Sequence, residues 1–79
     1  MTRMVMIEWV DSTFAHGWMD RETLLAHTQS ECVSCGLLMC DKKDSVTIIQ
    51  SFSPDKKQVG DGITIPKCCI KRVRTLKVK

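Results

Sequence analysis

Three groups of residues have types and spacing that bear on chemistry. Cys32-Val33-Ser34-Cys35-Gly36 sets two thiols two residues apart before a glycine. Thiolates so spaced can reach one tetrahedral zinc ion from a tight turn, with Cys40, Cys68, Cys69 or His27 left to complete the set. A second such pair is missing, however, and adjacent cysteines such as Cys68 and Cys69 on an extended segment point to opposite sides. The spacing therefore favours Cys32, Cys35 and Cys40 as small buried hydrophobes on a strand, and the expectation is no cofactor and no metal, with Cys32 and Cys35 the pair at which zinc would sit. The second group, Asp11 to Trp18, gathers Asp11, Ser12, Thr13, Phe14, His16 and Trp18 around Gly17. Stacking surfaces mixed with hydrogen-bonding groups suit a small planar ligand. Trp18 has a competing use as a plug at one end of the core, since so short a chain needs its large side chains for burial. The plug is the expected role for Trp18.

The third group closes the chain. Residues 64–79 carry Lys67, Lys71, Arg72, Arg74, Lys77 and Lys79 with no acidic residue, threaded with Ile65, Ile70, Val73, Leu76 and Val78. Arginines here can hold phosphate in bidentate fashion, while a charged edge strand is also a guard against aggregation. On a strand, Arg72 and Arg74 share one face and Lys71 and Lys77 the other. Lys42, Lys43, Lys56 and Lys57 read as solvated turn residues. A catalytic thiol would need a base, and only His16 and His27 are available, with no spacing that brings either to a cysteine. With no phosphate-cradling glycine loop, paired-histidine metal motif or elbow serine either, the expectation is that the protein is not an enzyme.

The elements that must position these groups are mostly strands. "RMVMIEWV" (3–10) alternates, with Val5, Ile7 and Trp9 on one face. "DSTFAHGW" breaks the pattern, and Asp20 can cap a short helix through "DRETLLAH" with Leu24 and Leu25 as its apolar patch. "CVSCGLLMC" and "SVTIIQSFS" flank the turn "DKKD" and predict a β-hairpin. Pro54 ends that run, and "PDKKQVGDG" reads as a polar loop. "ITI" resumes as a strand, Pro66 interrupts it, "KCCI" predicts one tight helical turn, and "KRVRTLKV" a final strand. That last segment also has apolar residues three apart, so a helix is its alternative. Five short strands, with one helical turn before the last, predict a mainly β single domain over 1–79, a small five-stranded Sm-like or SH3-like barrel. Val73 and Leu76 then belong to its core.

Seventy-nine residues with 43% hydrophobic content exclude a disordered polar chain, but so short a domain is marginally stable, and oligomerisation is a usual remedy. No apolar run approaches the roughly 18 residues of a membrane span, and the N-terminus lacks a secretory cleavage pattern. Five cysteines, an odd number, point to reduced thiols in a cytosol. Residues 1–40 hold two Lys/Arg against five Asp/Glu, and residues 41–79 ten against four, which makes the second half strongly cationic and suited to an anionic partner.

The segments "IEWVDS", "HGW", "VSCGLLM", "IIQS" and "ITIPKCCIKRV" together resemble a group of small uncharacterised proteins of bacteriophages and prophages, over most of the chain. "IPKCCI" is similar to the proline and short helix before the last strand of Sm-like and SH3-like barrels. Such barrels often form rings through the edges of their last two strands. The resemblance implies a phage accessory protein in the cytoplasm of the infected bacterium. The expected function is non-enzymatic: a homo-oligomer that sequesters an anionic small molecule, such as a nucleotide signal of host defence. Arg72, Arg74, Lys71 and Lys67 would supply the charge, and Phe14, His16 and Trp18 the stacking and polar groups. One alternative is an Sm-like module for single-stranded RNA or DNA, although stacking successive bases needs more exposed aromatics than four can supply. The other is a protein-interaction module that inhibits a host protein through an apolar patch such as Met4, Met6 and Leu38.

Overall fold

The computed structural model describes residues 3–55 and 57–77. Lys56, Val78 and Lys79 lie outside the described residues. Period-two alternation organises β1 (Met4–Asp11), whose Val5 and Ile7 are fully buried while Met4 and Asp11 are exposed. β1 pairs antiparallel with β2 (Ser30–Asp41) along its whole length, from Met4 opposite Leu37 to Asp11 opposite Ser30. A tight turn, closed by the Lys42 amide donating to the Ser45 carbonyl at 2.9 Å, leads into β3 (Ser45–Ile49). The hairpin expected around "DKKD" is therefore present.

β4 (Ser51–Phe52) and β5 (Val59–Gly60) pair with each other in a separate two-stranded hairpin. β6 (Ile63–Pro66) returns to β3, a 3-10 turn covers Lys67–Cys69, and β7 (Ile70–Thr75) pairs with β1. The main sheet is thus antiparallel with the order β6-β3-β2-β1-β7, leaving β6 and β7 as its edges. Pro66 is accommodated as the last residue of an edge strand, where its missing N–H costs no central ladder bond.

The core gathers on one face of this sheet. Val5, Ile7, Val46, Ile48 and Ile65 are buried together, with Trp9, Leu38, Cys69 and Ile70 packed against them. The Trp9 indole keeps its N–H satisfied by donating to Ser34 Oγ at 3.0 Å. Buried Gly36 lets β3 come close: a Cβ there would lie 2.7 Å from the Ile49 carbonyl oxygen. Just beyond, the Gln50 side-chain amide donates to the Cys35 carbonyl at 2.6 Å and extends the contact between these two chain segments.

Several expectations are corrected. The helix is shorter than two turns, running only over Arg21–Leu25 (α1), with Asp20 as the expected cap, its carboxylate accepting from the Thr23 amide at 3.3 Å. The segment read wholly as a polar loop contains β5. Val73 and Leu76 are 43% and 38% exposed instead of buried in a core, because β7 has a neighbour on one side only. Trp18 is fully exposed and plugs nothing: the β1–β2 ladder continues to Asp11 and Ser30 and carries the connecting residues beyond the core.

Residues 12–29 form an arm between β1 and β2, and all but Ala15 are exposed. Its base is tied by Thr13 Oγ1 donating to the Thr28 carbonyl at 2.9 Å. The molecule measures 53 × 27 × 23 Å with a radius of gyration of 16.2 Å, against roughly 12 Å for a compact domain of this length.

Candidate functional site

The sheet face turned away from the core brings together residues from β7, β1 and β2. Register sets Arg72 opposite Glu8 and Glu8 opposite Val33; the next row is Arg74, Met6 and Cys35. Arg72 and Arg74 therefore share a face. A bulge between Glu8 and Trp9 shifts the register against β7. Lys71, at that irregularity, reaches Glu31 on β2 with Nζ 3.1 Å from Oε1. Around this bulge lies a concavity of about 330 Å³ lined by Glu8, Trp9, Glu31, Cys32, Val33, Lys71 and Arg72. Its size falls at the lower end of small-molecule sites.

Three of the six cations of the terminal segment are matched by carboxylates. Besides Lys71 with Glu31, Arg72 Nε lies 2.9 Å from Glu8 Oε2 and Lys67 Nζ 2.6 Å from Asp41 Oδ1. Arg74 has no ion-pair partner among the described residues. Exposed pairs of this kind contribute about 0–1 kcal/mol each, so an incoming dianion can displace the carboxylates at little cost. Glu8 Oε2 is also enclosed by protein and, its ion pair with Arg72 apart, accepts no hydrogen bond among the described residues. The concavity thus sets two cations against two carboxylates, Glu8 and Glu31, each paired across it.

Phe14, His16 and Trp18 lie on the arm, outside that lining. Phe14 and His16 stack edge to face with ring centroids 4.5 Å apart. Within one chain the fold does not bring this group to Lys71 and Arg72, and Lys67 sits apart from the concavity beside Asp41. Sequence reasoning missed Glu8, Glu31, Trp9 and Val33 as lining residues. The available signal was Glu8 itself, a lone carboxylate inside an otherwise apolar strand.

Cys32 and Cys35 do not form a zinc pair. Cys32 stands opposite Trp9 on the core side and Cys35 opposite Met6 on the other, as three residues' separation on a strand requires. Among the described residues no three His, Cys, Asp or Glu side chains form a metal-sized group. Cys35 is exposed, against the expectation that it is buried. Nor do Met4, Met6 and Leu38 make one patch, since Leu38 packs against the core while Met4 and Met6 face away from it.

No family model, curated protein or solved structure matches the chain. No helix among the described residues is long and apolar enough to cross a membrane.

Proposed function

We propose that this protein is a non-enzymatic, homo-oligomeric small β-barrel that binds an anionic small molecule of nucleotide type. The observation that carries the reading is the concavity around the β1 bulge, where Lys71 and Arg72, in exposed pairs with Glu31 and Glu8, stand beside a Glu8 oxygen that accepts no hydrogen bond apart from its ion pair. Phosphate satisfies the cations, and the N–H groups of a base edge satisfy the carboxylate. The strand order and the 3-10 turn before β7 support the Sm-like or SH3-like reading, with the edges β6 and β7 meeting between copies. On the resemblance to phage proteins, the ligand is a nucleotide signal of host defence and the setting is the infected bacterial cytoplasm.

Calorimetric titration of the purified protein with mononucleotides and cyclic dinucleotides tests the site. A hydrogen bond to a charged group contributes about 1.5–3 kcal/mol, so Arg72→Gln with Arg74→Gln is expected to weaken binding by at least about tenfold without changing the assembly state measured by light scattering. Equal affinity in the double variant would remove the site assignment. A second reading, an inhibitor of a host protein, draws on the exposed apolar side chains of the arm, Phe14, Trp18 and Leu25 above all. A single host protein retained from lysate, with no nucleotide bound, would favour it.

A further inference from the structure

We infer that the arm of one chain docks on a second copy, with Trp18 seated in an apolar groove beside the partner's β7. The groove, about 290 Å³, lies beside β7; Leu38, Val46, Ile70 and Val73 line it together with Arg3, Asp41 and Lys67. It is the open side of the core, and Val73 is left 43% exposed there. This rests on the homo-oligomeric part of the proposed function and gives it a contact, but it involves neither Arg72 nor the concavity around the bulge, so the ligand site is scored separately.

Three observations select a second copy as the occupant. The first is incomplete burial on both sides of the contact. Trp18 is 103% exposed, Phe14 76% and Leu25 75%, while six hydrophobic side chains are buried among the described residues. A chain this short is marginally stable, and two of its four aromatic side chains, Phe14 and Trp18, stay in water. The arm has apolar side chains without a core, and the body has a core without a lid.

The second is charge. Residues 12–29 hold Asp20 and Glu22 against Arg21, a balance of −1, while the rest of the chain holds eleven Lys/Arg against seven Asp/Glu, a balance of +4. An acidic arm and a basic body attract, and the extended shape sets the arm away from its own body. At the groove, Asp41 offers its carboxylate to the indole N–H of Trp18, which otherwise would be buried without an acceptor.

The third is area. Aromatic side chains bury about 150–250 Å² each, so Phe14 and Trp18 contribute roughly 300–500 Å² per arm. Adding Leu24, Leu25 and the groove surface covered in return, two exchanged arms pass the roughly 1,000 Å² that a specific interface requires.

The test is sedimentation equilibrium on the wild type, Trp18→Ala and Val73→Asp, with far-UV circular dichroism to confirm folding. Because Trp18 is exposed within its own chain, its removal leaves the fold intact. The expected result is a self-associating wild type whose association weakens by about tenfold or more in Trp18→Ala. An equimolar mixture of the two variants associates more tightly than either alone and more weakly than the wild type, because one intact arm then meets one intact groove where the wild type has two such contacts. If Val73→Asp does not fold, fluorescence decides: the wild-type minus Trp18→Ala difference spectrum is blue-shifted in the assembly. A monomeric wild type overturns the inference, whatever other protein or nucleotide it binds. So does an assembly that Trp18→Ala leaves unchanged, which would mean that copies meet by their sheet edges alone. Nucleotide titration of Trp18→Ala scores the ligand reading separately.

Discussion

Cys68 and Cys69 are neighbours on the 3-10 turn, with their sulfurs 3.9 Å apart. The hydrogen bond shared with Cys68 pushes the Cys69 thiol above its ordinary pKa, and partial burial and the negative charges of Cys68 and Asp11 act in the same direction. A raised pKa leaves less thiolate at any given pH, and the thiolate is the reactive form. Iodoacetamide at neutral pH, mapped by mass spectrometry, is therefore expected to label exposed Cys35 before Cys69, with the gap narrowing as the buffer is made alkaline. Cys69 labelled first at neutral pH would contradict this account. Which side of the sheet each cysteine takes was only partly legible in the sequence. Alternation separates Cys32 from Cys35, but which of the two meets the core depends on the register with β1, which the chain of residues does not state. By contrast, the Asp20 cap was legible because it depends only on the next three residues.

At the scale of elements, the β2–β3 hairpin rests on Gly36. In "CVSCG" the glycine reads as the opening of a metal-binding turn, but its actual use is to let the Ile49 carbonyl pass within 2.7 Å of where a Cβ would be. That oxygen belongs to the backbone of a neighbouring strand, so the clash cannot be relieved by rotating a side chain. Gly36→Ala is expected to destabilise the fold by about 1–3 kcal/mol, the usual cost of overpacking, read as a lower urea midpoint with an unchanged slope. No change in midpoint would mean that β3 can move aside freely. Strong alternation with branched residues made β1, β2 and β3 legible, as hydrophobic patterning sets which face of a strand turns inward. β4 and β5 were missed as a pair because two residues each are too few to show a period, and their pairing is held instead by backbone bonds such as Gln50 to Gly60 and Ser53 to Gln58.

At the scale of the whole molecule, the projection of the arm was not legible at all. A loop rich in aromatics reads naturally as a plug, and only the length of the β1–β2 ladder reveals that it emerges beyond the core. On the docking inferred above, the large side chains that the ladder carries outward join the core of a second copy and add to its six buried hydrophobic residues. A fold completed by a second copy gains stability by mass action, by about 2.7 kcal/mol per assembly for a hundredfold rise in concentration. In a domain of this size each kcal/mol shifts the midpoint by roughly 4–8 °C. Shared between two chains, the gain corresponds to a melting temperature that rises by about 5–10 °C between micromolar and hundred-micromolar protein, and calorimetry across that range measures it. Trp18→Ala is expected to flatten this dependence while leaving the low-concentration midpoint nearly unchanged, because the side chain is unburied within its own chain. A wild-type midpoint independent of concentration would show instead that the five-stranded sheet holds itself together, and that its exposed arm is not what stabilises it.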